Sequence, residues 1–269
     1  MDKIVVDGLR IRYATGGRGT GRPVLLTSPW PESLVAFRAI WDTIAEVAPV
    51  VAVDLPGFGQ SEGRVDVLEP RAMGRWLVSF IRQLSLDRPH AVCPDVGTAA
   101  VLYAATNHDR TFESLTVGAG GMDEQCVAGT LKQIIEAPDT TAFEGADGGD
   151  TVVEAVRQLR ETPPSTDELN DYRESYAGDR FVKSMAYVRT YPRSLPPLRA
   201  LLGTIDTPVQ VLYGRRDPLV LAENNELIGR GVPHSRVIAL DTGHFAWQDT
   251  AAEYGAAVRS WVEGGYRDV

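Results

Sequence analysis

Three ionisable residues stand directly after apolar runs, far apart in the chain. Asp95 follows His90-Ala91-Val92-Cys93-Pro94 and precedes the small-residue stretch Val96-Gly97-Thr98-Ala99-Ala100. Asp217 comes just after Val209 to Tyr213, and His244 just after Val237 to Leu240. Apolar runs of this kind suit parallel strands buried on both faces. Side chains at the carboxyl ends of such strands share one edge of the sheet, which is where open α/β folds place their chemistry. An ordinary aspartate, with a pKa of about 3.9, is ionised at neutral pH and needs no base in order to attack. Attack on an acyl group would give a strained anhydride, whereas attack on an sp³ carbon bearing a leaving group gives a stable alkyl ester. As a nucleophile, Asp95 therefore selects an epoxide or halide carbon. His244 is then free to act as general base toward water in a second step, with Asp217 fixing its tautomer. Taken singly, Asp95 could be a helix N-cap, Asp217 a turn residue before Pro218, and His244 a satisfied structural histidine. Their shared position after strands favours catalysis.

The elements that must hold these residues follow from hydrophobic period. Lys3 to Val6 and Leu9 to Tyr13 alternate around Asp7-Gly8, a hairpin signal. Val24 to Leu26 and Val50 to Val53 read as buried strands. Helical spacing marks 36–47, 71–84 and 97–107, and Ser114 to Val117 reads as a further strand. Between about 118 and 201 strand signals fade, and helical stretches fall at 151–159 and 171–187. Strands then resume at Val209 and Val237, with a last helix over 252–262. The alternation predicts an α/β fold, a mostly parallel sheet with helices on both faces. It divides into a core of residues 1–118 and 202–269 and an inserted helical cap, or lid, of residues 119–201.

Asp95, Asp217 and His244, in that chain order and with a strand-turn-helix around the first, resemble the α/β-hydrolase fold superfamily. Within it the chain is most similar to the branch of epoxide hydrolases and haloalkane dehalogenases, whose nucleophile is an aspartate. Ser28-Pro29-Trp30-Pro31-Glu32-Ser33 occupies the place of that branch's oxyanion loop, usually His-Gly-x-Pro, and Asp54-Leu55-Pro56-Gly57-Phe58-Gly59-Gln60-Ser61 matches a widespread superfamily loop. The resemblance implies an oxyanion hole formed by the backbone N–H groups of Trp30 and Val96. It also implies a phenol in the cap that protonates the epoxide oxygen, about thirty residues before the triad acid, and Tyr187 has that spacing from Asp217. A second phenol is not evident: Phe143 is near its place, and Tyr172, Tyr176 and Tyr191 are the substitutes at hand. Where dehalogenases carry a tryptophan whose indole holds the halide, this chain has Val96, so only Trp30 is left as an indole donor. Trp30 and Trp247 are candidates for the pocket lining.

The expected activity is that of a cofactor-independent hydrolase, foremost an epoxide hydrolase acting on a small or medium apolar molecule. Haloalkane dehalogenation, a lyase, isomerase or cyclase using the same pocket for proton transfer, and ligand binding without catalysis are the alternatives. A serine-type esterase is disfavoured because Asp95 stands where the hydroxyl would be. The formal net charge of −9 disfavours nucleic acid and anionic membranes as partners. Cys93 and Cys126 form no ligand or redox spacing, so neither a disulfide framework nor a metal site is expected. With no basic segment leading into a long apolar run, a cytoplasmic protein is expected, and a homodimer is compatible with it. His90, His108 and His234 read as structural or exposed, and the acidic loop around Asp147 and Asp150 as solvated.

Overall fold

The computed structural model describes residues 1–107 and 110–269, so His108 lies outside the described residues. Asp7 and Gly8, both with positive φ, make the tight turn between β1 (Asp2–Val6) and β2 (Leu9–Gly16). The buried runs become β3 (Val24–Thr27), β4 (Val50–Val53), β5 (His90–Pro94), β6 (Ser114–Gly118), β7 (Val209–Gly214) and β8 (Ser235–Leu240). Among the described residues these eight strands form one sheet in the order β1-β2-β4-β3-β5-β6-β7-β8. Both pairings of β2, with β1 and with β4, are antiparallel, and every pairing from β4 through β8 is parallel. The strand order doubles back at β3, and β5 lies beside it at the centre of the sheet. Leu25 and Leu26 on β3 are fully buried, each worth roughly 1.5–3 kcal/mol in removal from water.

The helices of the sheet are α1 (Arg38–Ala45), α2 (Pro70–Gln83), α3 (Val96–Asn107), α9 (Ala222–Gly231), α10 (Ala246–Asp249) and α11 (Ala251–Val262). The helix expected over 36–47 is shorter, because its first turn, Leu34–Phe37, is a tighter 3-10 turn capped by the Ser33 hydroxyl. Between β6 and β7 the described residues form helices and an isolated bridge from Val127 to Val220. This segment contributes α4 (Gly129–Glu136), α5 (Gly148–Leu159), α6 (Thr166–Ser175), α7 (Arg180–Ser184) and α8 (Tyr191–Leu201). The single helix expected over 171–187 is thus two helices. Gly178, with φ +64°, turns the chain between them, and its N–H donates to Asp147, whose other carboxylate oxygen caps α5. The acidic loop is therefore a helix cap.

One buried ion cluster ties this helical segment to the sheet. Arg12 on β2, almost wholly buried, donates to Asp54 at 2.5 Å and grips Asp171 of α6 with two bonds of 2.7 and 2.9 Å. Asp54 also accepts from the N–H groups of Leu34 and Gln60, and the Ser33 hydroxyl donates to Asp171 at 2.6 Å. Asp54, fully buried, and Asp171, partly exposed, are each met by several donors, which offsets much of the cost of burying charge. No helix among the described residues is long and apolar enough to cross a membrane.

Candidate functional site

Asp95 occupies the single-residue turn between β5 and α3, with φ +52°. That left-handed conformation costs a non-glycine residue about 1–2 kcal/mol, and it is held from both sides. The Asp95 N–H donates to Gly118 O at 2.8 Å, and its carbonyl accepts from the Thr98 N–H at 3.0 Å. Gly97 is required by close approach, since a Cβ there would lie 2.3 Å from the Thr27 hydroxyl. The turn points the carboxylate away from the sheet. Its Oδ2 accepts a 2.5 Å bond from the Trp30 N–H, and the Val96 N–H also bears on it.

β7 and β8 deliver the other two residues to the same edge. His244 Nδ1 lies 2.7 Å from Asp217 Oδ2, and its Nε2 faces Asp95 Oδ1 at 3.9 Å. Asp217 Oδ1 accepts from the N–H groups of Leu219 and Val220 at 2.8 and 3.0 Å, so this carboxylate is fixed in rotation. With Asp217 on Nδ1, Nε2 is the nitrogen that faces the cavity. The structure thus brings Asp95, Asp217 and His244 together, with Trp30 and Val96 beside the first.

Burial lifts the Asp95 carboxyl to about 6, against the pull of His244 and the two N–H donors. Burial alone would lower the His244 imidazole, but the carboxylates of Asp217, Asp95 and Glu32 outweigh it and raise the group to about 9. At neutral pH the pair rests as carboxylate and imidazolium. Loss of the Asp95 charge, as on alkylation, removes one of the attractions that keep His244 protonated.

The tyrosines fall differently from the expectation. Tyr187 is fully buried and its hydroxyl donates to Val96 O at 2.8 Å, buttressing the turn from behind rather than lining the cavity at Asp95. One helical turn later, Tyr191 does line that cavity. Its ring lies over Gly121, where a Cβ would come within 2.4 Å of it. Burial and the Asp95 charge hold the Tyr191 phenol well above its usual range. Tyr176 donates to Glu32 O, and Tyr172 accepts from Gln248, so both are structural bonds of the surrounding loops.

The cavity has a volume of about 120 Å³. Asp95, His244 and Trp30 border it on one side, and Leu131, Ile134 and Leu159 from α4 and α5 on the other. The Trp30 ring stacks on Phe181 of α7, and its indole N–H donates to the Ser184 hydroxyl at 2.7 Å. Neither Val96 nor Trp30 therefore offers a free side-chain donor for a halide. Trp247 stands behind His244, with ring centroids 5.9 Å apart, and donates to Glu32. Glu32, quoted above only as part of a motif, is fully buried with one oxygen lacking a bonded partner, and burial pushes it to about 8. Only the fold reveals its proximity to His244. A larger groove, of about 1070 Å³, lies along α7 and is lined by none of Asp95, Asp217 and His244. His90 is buried against Ser114 at the opposite end of β5, and His234 is exposed. Among the described residues no cluster of His, Cys, Asp and Glu could hold a metal.

A strand order of this kind, with a left-handed turn after the central strand and acid and histidine after the last two, has a matching family model. The model of the alpha/beta hydrolase fold matches residues 22–249. The chain belongs to that family. Among curated relatives, this alpha/beta hydrolase is 28% identical over 113 residues to a soluble epoxide hydrolase of Corynebacterium sp. strain C12, covering 42% of this chain and 39% of that protein. It is 24% identical to a pimeloyl-[acyl-carrier protein] methyl ester esterase of Neisseria meningitidis serogroup B, over 91% of this chain and 95% of that one. A haloalkane dehalogenase loop variant from Bradyrhizobium elkanii superposes with a TM-score of 0.81 at 20% identity, covering 98% and 96% of the two chains. The family and these relatives support a hydrolase.

Proposed function

We propose that this alpha/beta hydrolase is an epoxide hydrolase that works through an alkyl ester of Asp95, with residues 119–201 acting as a cap over the site. The observation that carries the reading is a carboxylate, not a hydroxyl, presented by the turn after β5 to an apolar cavity that also holds a phenol. In the first step an Asp95 oxygen attacks an epoxide carbon and the carbon–oxygen bond of the ring breaks. The alkoxide takes its proton from Tyr191, the cavity-facing phenol, rather than from Tyr187, whose hydroxyl is engaged by Val96 O. Loss of the Asp95 charge as the ester forms makes Tyr191 a better acid in that step, and it lets His244 release its resting proton to solvent before the second step. In the second step His244 takes a proton from water, and the hydroxide adds to the Asp95 carbonyl carbon. The N–H groups of Trp30 and Val96 bear the developing oxyanion. The bond between the Asp95 carbonyl carbon and the ester oxygen breaks, and His244 gives its proton to that oxygen. The diol leaves with one oxygen from Asp95, whose carboxyl keeps the oxygen from water and returns its proton to His244. Tyr191 recovers its proton from solvent. The absence of a free halide donor on Val96 or Trp30 ranks dehalogenation lower.

The test is a single turnover of an epoxide in ¹⁸O-water, followed by peptide mass analysis. Label is expected in the peptide containing Asp95. Diol formation with no label at Asp95 refutes the covalent route.

A further inference from the structure

The cavity at Asp95 is small, and its walls are of two kinds. Trp30 is pinned by its bond to Ser184 and by stacking on Phe181, and Phe181 is in turn packed edge-on against Tyr176. Tyr191 is wedged between Gly121 and the Tyr187 ring, whose centroid is 6.0 Å away. These aromatic walls cannot swing aside without breaking buried contacts. The remaining wall is aliphatic, made by Leu131 and Ile134 of α4 and Leu159 of α5, with the uncharged Thr130 and Gln158 at its exposed rim. Only Asp95, His244 and Tyr191 among the lining residues can ionise, so a charged substituent would find no counter-ion there. A dry apolar cavity of roughly 150 Å³ accommodates one benzene molecule. The 120 Å³ available here is less than that.

We infer that the site is a size filter for compact, uncharged epoxides smaller than a benzene ring, and that Ile134 and Leu159 set its upper limit. The inference rests on the epoxide-hydrolase reading for its chemistry and on the cavity alone for its size. Aliphatic terminal and internal epoxides of a few carbons fit the description, while an aryl epoxide must displace the α4 or α5 side chains to reach Asp95.

The experiment compares kcat/KM for 1,2-epoxybutane and styrene oxide in the wild type, in Ile134→Ala and in Leu159→Ala. The wild type is expected to prefer 1,2-epoxybutane by about 100-fold or more, and each variant to narrow that preference at least about tenfold. A wild-type preference under about tenfold, or one that neither variant alters, overturns the inference. Binding of 1,2-butanediol and 1-phenyl-1,2-ethanediol to Asp95→Asn, read by saturation-transfer NMR, separates size from chemistry. Contact with the butanediol alone is expected. If neither epoxide is turned over and only the butanediol binds, the epoxide-hydrolase reading falls and the size limit stands. Equal binding of both diols, or of neither, overturns the size limit.

Discussion

Replacing Asp217 by Asn should separate the two chemical steps. Asp217 Oδ1 is held by the N–H groups of Leu219 and Val220, so the oxygen of an asparagine must take that place. Its NH₂ group then falls where Oδ2 was, 2.7 Å from His244 Nδ1. Two donors cannot share that contact, and the imidazole flips to the tautomer that carries its proton on Nε2, the nitrogen facing Asp95 and the cavity. In that form it cannot take a proton from water. An inverted tautomer in a triad costs about 10⁴-fold in rate, which corresponds to about 5.5 kcal/mol of activation energy. The first step needs only the Asp95 carboxylate and the Tyr191 proton, so it should survive. Mixing Asp217→Asn with 1,2-epoxybutane should therefore consume one equivalent of epoxide rapidly, then stall. Intact-protein mass spectrometry should show an adduct of substrate mass, which peptide mapping places on Asp95. Hydrolysis of that ester within about tenfold of the wild-type rate would refute the tautomer argument.

Three further outcomes follow from the same geometry. Tyr191→Phe should slow ester formation by about 10²–10⁴-fold, whereas Tyr187→Phe should leave that step within a few-fold. Tyr187→Phe should instead lower stability by about 1–3 kcal/mol, because Val96 O loses its donor; rapid-quench kinetics and urea unfolding distinguish the two. Ester formation should rise with pH until Asp95, lifted to about 6 by burial, is ionised, and level off above that, as single-turnover rates between pH 4.5 and 8 would show. Glu32 has its folded pKa raised from 4.5 to about 8, so the stability it contributes is present below the lower value and lost as pH rises through the upper one. Its slope is at most about 1.4 kcal/mol per pH unit, and Glu32→Gln should flatten the wild-type fall in urea midpoint across that window.

Much of the fold was legible in the chain because its strands are buried on both faces and so read as continuous Val, Leu and Ala runs. β3, β4 and β5 begin where the apolar runs begin, and the hairpin turn falls on Asp7-Gly8. The convergence of Asp95, Asp217 and His244 was legible for the same reason, since a strand end is a sequence position and the sheet does the rest. α8 was not. Pro192 sits harmlessly in its first turn, but Pro196 and Pro197 lie inside it and read as breakers. The choice between Tyr187 and Tyr191 was also beyond the sequence. One turn separates them, and the one that faces the cavity is decided by the gap above Gly121, a contact between residues seventy positions apart. Glu32 was hidden differently, because nothing local marks a carboxyl that will be sealed behind a histidine more than two hundred residues away.

The Trp30 amide that bonds Asp95 sits in a loop gripped from above by three side chains of the helical segment. Asp171 takes the Ser33 hydroxyl, Tyr176 bonds the Glu32 carbonyl, and Ser184 holds the Trp30 indole. The boundary expected between a core and a cap, at residues 119 and 201, therefore does not separate this loop from the helices that hold it. A chimera that exchanged that whole stretch for another roof would keep Asp95, Asp217 and His244 yet unfasten the loop beside them. To transplant specificity without dismantling the centre, the graft should be confined to α4 and α5 and leave 171–184 in place.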